Sequence, residues 1–392
     1  MTTEARSNIG LVLVSSALVL AALPLFMVGG LAVQMRADLG LSPASLGAAL
    51  TTGFVVGAVS APFGGRIADR LGARSALLLG ASLSGMALFG LGVFTNSWVR
   101  LVAFLAVAGL AVAITDPGLA ILVNTTIERE RHGLAFGLKE ASIPAATLAA
   151  GVAVPAIALT VGWRWAFATG VVPLAVVMTL LFRVSATNET RATGPRTAAP
   201  QLPTSAPRGA IFLTAVAAAL GTAAASGVGV FLTESAVAMG IGPGAAGLLL
   251  ATGSVAGIIT RISSGLLADR SGRGDHFQII AAMLAVGGLA MALGGTGHNV
   301  LLVIGTIGAF AGAWGWTGLY FLSLVKASPT NPGAVSGIGV AGLGAGNAAG
   351  PILFGLAAQT LSFRAAWIGA GMVAGLGALL MVWARKKMIA PV

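Results

Sequence analysis

The chain has 392 residues; 57% are hydrophobic and 8% charged, with 22 Lys and Arg, 11 Asp and Glu and no cysteine. A soluble domain carries roughly 25% charged residues, so a water-soluble class is excluded and lipid must cover the apolar surface. The net charge of +11 then speaks first of membrane topology and not of nucleic acid, and disulfides, thiol catalysis and Cys-ligated metal are ruled out.

A spanning helix needs about 20 mostly apolar residues. Such stretches fall at 10–34, 44–66, 75–95, 99–124, 134–160, 164–183, 210–235, 243–266, 277–297, 299–325, 333–359 and 364–384. The first follows a short polar start with no Ala-x-Ala-like site before a soluble domain, and reads as an uncleaved span. Residues 184–209 are the one long polar stretch, with four Pro among Thr, Ser and Arg. They read as a disordered linker between a six-span half at 1–183 and another at 210–392. With the first residue inside, 18 of the Lys and Arg fall on inner segments and 4 on outer ones. That split predicts both termini in the cytoplasm.

An internal repeat supports the two halves. Ten of the 23 positions from Leu50 to Gly72 recur, without a gap, 200 residues later at Leu250 to Gly272. The shared residues include Gly65, Asp69, Arg70 and Gly72, matched by Gly265, Asp269, Arg270 and Gly272; Arg74 is matched by Gly274. The offset also relates Arg164 to Arg364. A carboxylate at the inner end of a helix can pair with cations or a helix N-terminus across the seam between the halves. Gly65 and Gly72 allow close approach and a tight turn. The plainer reading of Arg70 and Arg74 is that they are anchors on the positive side.

The duplicated Gly-x-x-x-Asp-Arg-x-Gly loop closely resembles the signature loop of the major facilitator superfamily. The resemblance covers essentially the whole chain. It implies an all-α membrane protein of twelve transmembrane helices in two pseudo-symmetric six-helix halves, a secondary transporter working by alternating access. On that resemblance the residues Gly65, Asp69, Arg70, Gly72, Arg74, Gly265, Asp269, Arg270 and Gly272 form the inner gate.

Ionisable residues inside a span are functional candidates by default. Arg261 lies about five residues from the inner end of the eighth span, where the repeat has Ala61. A guanidinium there offers a bidentate fork to a carboxylate, or else snorkels to the inner surface. Asp116, before Pro117 in the fourth span, is the proton-coupling candidate, or a partner of Arg261 or Lys139, or a structural Asp at a helix kink. Lys139 and Glu140 start the fifth span; adjacent residues do not share a helix face, so they are not expected to form a self-contained pair. Lys139 is either a second anion contact or an anchor.

In the tenth span Trp314 and Trp316 point about 200° apart, and Tyr320 shares a face with Trp316. That face is read as a cavity wall, with lipid-facing or packing aromatics as the alternative. Asn124 is a further polar contact, and Glu234 is read as interfacial. The glycine run 337–350 of the eleventh span is read as small residues that let helices rock, not as a nucleotide loop. The stretches around Arg261, Lys139 and Trp316 resemble the cyanate-permease and monocarboxylate-transporter branches of the superfamily. Members with Lys-Gln at the fifth span are matched here by Lys139-Glu140.

No metal site, catalytic triad or ATP-binding loop stands out, so no enzyme and no cofactor beyond a proton gradient are expected. The expectation is a monomeric, multi-pass permease of a bacterial plasma (inner) membrane. It moves a small organic anion such as a monocarboxylate or cyanate together with a proton. The substrate contacts are Arg261, Lys139, Trp316, Tyr320 and Asn124, and Asp116 carries the proton. A proton-coupled efflux pump for apolar drugs is the alternative.

Overall fold

Lipid offers no partner to a backbone N–H or C=O, so an apolar chain satisfies both within helices. The computed structural model describes residues 3–127, 132–183, 207–271, 276–328 and 332–389 and is helical in this way. Helix α1 is Thr3–Gly30, followed by a short helix Ala32–Leu39. The stretch Pro43–Val93 divides at Gly72 into α2, residues 43–71, and α3, residues 73–93. Next come α4 Trp98–Thr126, α5 His132–Ala153 with a π-helical turn Val154–Ala158, and α6 Trp163–Phe182. The second half has α7 Arg208–Ala238, α8 Pro243–Ser271 and α9 Phe277–Gly294. Helix α10 is Asn299–Gly308, loosened by a π-helical turn Ala309–Ala313 and resumed as Thr317–Ala327. Helices α11 Pro332–Thr360 and α12 Phe363–Ile389 complete the set.

Among the described residues, eleven helical stretches are long and apolar enough to cross a membrane, and one of them has 51 residues. At 1.5 Å per residue that one would run about 76 Å, more than twice a 30 Å hydrocarbon core. Gly72, at φ 80° and ψ 164°, breaks it into two spans, so the total is twelve. Only glycine takes that backbone conformation freely. An even number of spans brings the start of α1 and the end of α12 to one face, the terminal side, opposite a far side. On the far side Ser42 caps α2 by accepting from the Ser45 N–H at 3.1 Å, with Pro43 next to it at the helix start.

The sequence repeat is a packing repeat. A Cβ on Gly53 of α2 would lie 2.9 Å from the Leu105 carbonyl of α4, and one on Gly109 of α4 would lie 2.2 Å from the Gly53 carbonyl. The equivalent Gly253 of α8 lies under Thr306 and Phe310 of α10, where a Cβ would meet atoms at 2.8 and 3.0 Å. Small residues let α2 close on α4 and α8 on α10. Two glycine expectations need correction. Gly65 faces open space, and it is Gly64 whose Cβ would strike the Ala113 carbonyl of α4. In the α11 run, Gly342, Gly346 and Gly350 press on carbonyls of α7 in their own half, and Gly344 is the member that meets Ala58 of α2.

The halves meet along α5 and α8, α2 and α11, and α1 and α7. A Cβ on Gly151 would lie 2.6 Å from the Gly247 carbonyl, and one on Gly247 would lie 2.6 Å from the Gly151 carbonyl. Below them Thr147 and Ser254 share a buried 2.7 Å hydrogen bond. Thr51 donates to the Ala348 carbonyl at 2.7 Å, and the Ala44 N–H donates to Gln359 Oε1 at 3.3 Å. Thr233 of α7 donates to the Gly29 carbonyl of α1 at 3.2 Å. Glu234, expected at the interface with water, is instead buried and ion-paired with Arg36 of the other half. All of these ties lie toward the far side. Toward the terminal side the Asp116 carboxylate, well inside a span, is exposed, so the seam opens beside it on that side while the far side is closed.

Removing one partner of a buried ion pair strands the other. Glu234→Ala is expected to lower stability by about 1–3 kcal/mol, less than a fully buried pair would because Arg36 keeps some solvent. It should also loosen far-side closure. A melting curve in detergent checks the first effect. The yield of a disulfide between Ala44→Cys and Gln359→Cys, free of background in a chain without cysteine, checks the second.

Candidate functional site

Four helices place a polar residue at one depth. Asp116 stands ten residues before Thr126 at the end of α4, and Arg261 ten before Ser271 at the end of α8. Thr317 stands ten before Ala327 on α10, and Glu140 eight after His132 on α5. Each is therefore about 12–15 Å in from the terminal-side end of its helix. Helices α4 and α5 belong to the first half, α8 and α10 to the second, so the layer straddles the open side of the seam.

The side chains in this layer meet. Lys139 Nζ lies 2.7 Å from Asp116 Oδ1 and 3.5 Å from Glu140 Oε1. The Thr317 hydroxyl donates to Glu140 Oε2 at 2.9 Å. Arg261 donates from Nε to the Trp314 carbonyl at 2.9 Å and from a terminal nitrogen to the backbone carbonyl of Glu140. Its guanidinium carbon is 5.9 Å from the centre of the Trp314 ring, within cation–π range. Two cations and two carboxylates thus share one layer, with no net charge when all four are ionised.

Helix α10 supplies carbonyls because it is loosened there. After the π-helical turn, residues 314–316 are turn and not helix. Three successive carbonyls take side-chain donors: Ala313 from Trp316 Nε1 at 2.7 Å, Trp314 from Arg261, and Gly315 from the Ser264 hydroxyl at 3.5 Å. Irregular backbone at membrane depth persists where protein groups satisfy it.

Arg261 does not snorkel. Its helix runs ten residues further to Ser271, and the side chain is 4% exposed, turned inward to α5 and α10. Asp116 partners Lys139 and not Arg261, and it is 46% exposed where the other three charged groups are not. Helix α4 continues through Pro117 without a break. Lys139 and Glu140 do touch, against the expectation for neighbours, because the long lysine side chain reaches around the helix; its shorter contact is still with Asp116.

Trp316 and Tyr320 share a face as their spacing requires, with ring centres 5.6 Å apart. That face is fully buried inside the second half, against Leu284 of α9 and Ala217 and Ala218 of α7, so they pack and do not line the opening. Trp314, on the opposite side of the helix, is the tryptophan beside Arg261. It makes edge contacts with Phe26 of the first half at 5.8 Å and with Phe310 at 4.9 Å. Phe54 joins Phe26 at 6.2 Å. These aromatics lie between the charged layer and the far side.

Of the expected gate residues, Asp69 and Arg70 are exposed at the open side, and Arg74 donates to the Leu181 carbonyl of α6 at 2.9 Å. Gly265 lies on α8. The side chains of Asn124, Asp269 and Arg270 lie outside the described residues, as does Gly272. Reasoning from the sequence missed Glu140, Thr317 and Trp314 as members of the layer. Glu140 carried a signal, a carboxylate where the resembled permeases have Gln; Trp314 carried half of one, since one of two opposed tryptophans had to face this way. Thr317 carried none.

A family model of the Major Facilitator Superfamily matches residues 14–299, which hold Asp116, Lys139, Glu140 and Arg261. The chain belongs to the major facilitator superfamily. It is therefore a membrane transporter, and members of this superfamily transport small molecules instead of transforming them. No curated protein matches the chain significantly.

The two tryptophans of this facilitator should behave differently. Trp316→Ala removes a fully buried ring and is expected to cost about 3–5 kcal/mol, read as a lowered melting temperature. Trp314→Phe keeps most of the packing and is expected to leave the melting temperature within a few degrees while changing transport. Transport and melting measured on the same preparations separate the two roles.

Proposed function

We propose that this facilitator is a permease that moves a small organic anion, a monocarboxylate or a cyanate-like solute, together with a proton. The observation that carries the reading is the charge-balanced layer, in which Arg261 of one half and Lys139 of the other approach the same level of the seam. Arg261 holds the anion through a bidentate fork. Lys139 assists from the facing half. The layer is neutral as it stands, and a bound anion adds one negative charge in a medium that penalises it. One proton on a carboxylate restores neutrality, so anion and proton travel one for one. Asp116, half-exposed to the opening, is the carboxylate on the proton's way in.

The lysine and arginine split supports the reading that the terminal side faces the cytoplasm. Of the polar stretch 184–209, read as the linker between the halves, residues 184–206 lie outside the described residues. In the opposite conformation Asp69 and Arg70, with Asp269 and Arg270 of the second copy, close the cytoplasmic gate around the turn at Gly72. The exposure of Asp69 and Arg70 on the open side is what such a gate requires when it is apart.

Proteoliposomes with an alkaline interior test the reading. Labelled lactate and labelled cyanate are the probes. Wild-type protein is expected to accumulate one of them against its gradient. Arg261→Ala should retain below about a tenth of that uptake, as losing a charge-assisted bond in a dry site implies. Asp116→Asn should slow gradient-driven uptake several-fold. Arg261→Ala transporting as well as wild type would reject the anion site. The phenylalanines and Trp314 around the layer favour one second reading, proton-driven efflux of apolar compounds. Drug resistance in expressing cells without anion uptake would select it.

A further inference from the structure

Glu140 differs from Asp116 in where its contacts go. Asp116 meets Lys139 within the first half. Glu140, on the same half, reaches the second half twice: its side chain accepts from Thr317 of α10 and its backbone carbonyl accepts from Arg261 of α8. Its carboxylate has Lys139 on one oxygen and the Thr317 hydroxyl on the other, and it is 14% exposed. An anion entering between the halves toward Arg261 and Lys139 needs this same ground: a cation from each half and a hydroxyl donor. We infer that Glu140 is an internal anion that occupies the substrate's place when the site is empty, and that it must be protonated before the substrate's own carboxylate can replace it.

This inference rests on the anion reading above and adds which carboxylate must be neutral when the substrate is bound. Helix α5 brings Lys139, α4 brings Asp116 on the far side of that lysine, α8 brings Arg261 and α10 brings Thr317. Helix α1, which also packs on α5, has no ionisable side chain between Asn8 and Gly30. As an ionised group the Glu140 carboxylate competes with the substrate for Lys139 by direct contact, and for Arg261 only through its charge, since Arg261 donates to the Glu140 backbone carbonyl. With a proton it is a neutral acid that keeps a hydrogen bond to Thr317 and leaves the cations to the newcomer. The proton comes from water at the open side by way of Asp116, and one proton enters for each anion.

The test is exchange of labelled lactate, or of cyanate if that is the solute carried, at equal pH inside and outside proteoliposomes, from pH 5 to 9. Wild-type exchange is expected to fall with rising pH, approaching tenfold per unit, the limit for one proton. Glu140→Gln keeps the shape without the charge and should exchange at a rate that changes less than about twofold across the range, with no accumulation against a gradient. Thr317→Val removes a donor to the ionised carboxylate. It should shift the wild-type profile to higher pH by roughly half a unit to one unit, because the protonated form then persists further. Glu140→Gln retaining the wild-type slope overturns the inference, as does a flat profile in Asp116→Asn with the slope intact in Glu140→Gln. If Glu140→Gln does not fold, an unshifted Thr317→Val profile overturns it alone. Exchange that does not depend on Arg261 at any pH rejects the anion reading itself, an outcome distinct from these.

Discussion

Charge in a low-dielectric layer must be balanced within that layer, and the central architecture of this transporter follows from that constraint. A lone guanidinium about 15 Å from the helix end would be costly, yet Arg261 is almost fully buried there. It is tolerated because two carbonyls accept from it and a carboxylate lies in the same cluster. One of those carbonyls is available because α10 loses its regular winding beside Trp314. The other belongs to a helix of the opposite half. The irregular turn, the seam between α5 and α8 and the pairing of Lys139 with two carboxylates are therefore parts of one solution. Replacing such a cluster with apolar side chains is often neutral for stability, so its presence at this depth is better explained by transport than by folding.

The second constraint is steric. Apolar side chains give no net attraction between helices in lipid, so close backbone approach has to supply it. Glycine permits this at the seams within each half, and the repeat preserves it at Gly53 and Gly253. Between the halves the closest backbone approaches among the described residues lie toward the far side, at Gly47, Gly29 and the Gly151–Gly247 pair. Polar groups take over lower down, first the hydroxyls of Thr147 and Ser254 and then the charged layer. The seam grades from dry backbone contact to ionic contact along its length. That gradient matches a molecule closed at one end and open at the other.

Much of the fold was legible in the sequence, because membrane spans are written in length and hydropathy, and the 200-residue echo gave the halves. The turn at Gly72 was legible for the same reason that only glycine fits it. The site was legible as a set of misplaced charges: Asp116, Lys139 and Arg261 all fall in the layer, and each stands out against apolar neighbours. What the sequence withheld were quantities set by helix rotation and depth. A period of 3.6 residues says that Trp314 and Trp316 oppose each other but not which faces the seam. Neighbours on a helix diverge, but that rule does not cover the reach of a lysine side chain, which is how Lys139 and Glu140 meet. Gly64 and Gly65 are equivalent in sequence and differ by one step of rotation about α2, which puts one against α4 and leaves the other free.

The mutual contact of Gly151 and Gly247 has a mechanical reading. Neither glycine can gain a methyl group without driving α5 and α8 apart, so the two helices are pinned there at nearly zero side-chain thickness. Glu140 lies eleven residues down α5 from that pin, about 16 Å along the axis. A tilt of about 10° about the pin would swing it sideways by about 3 Å, the length of a hydrogen bond. A pivot that barely moves can therefore make or break every polar tie at the other end of the lever.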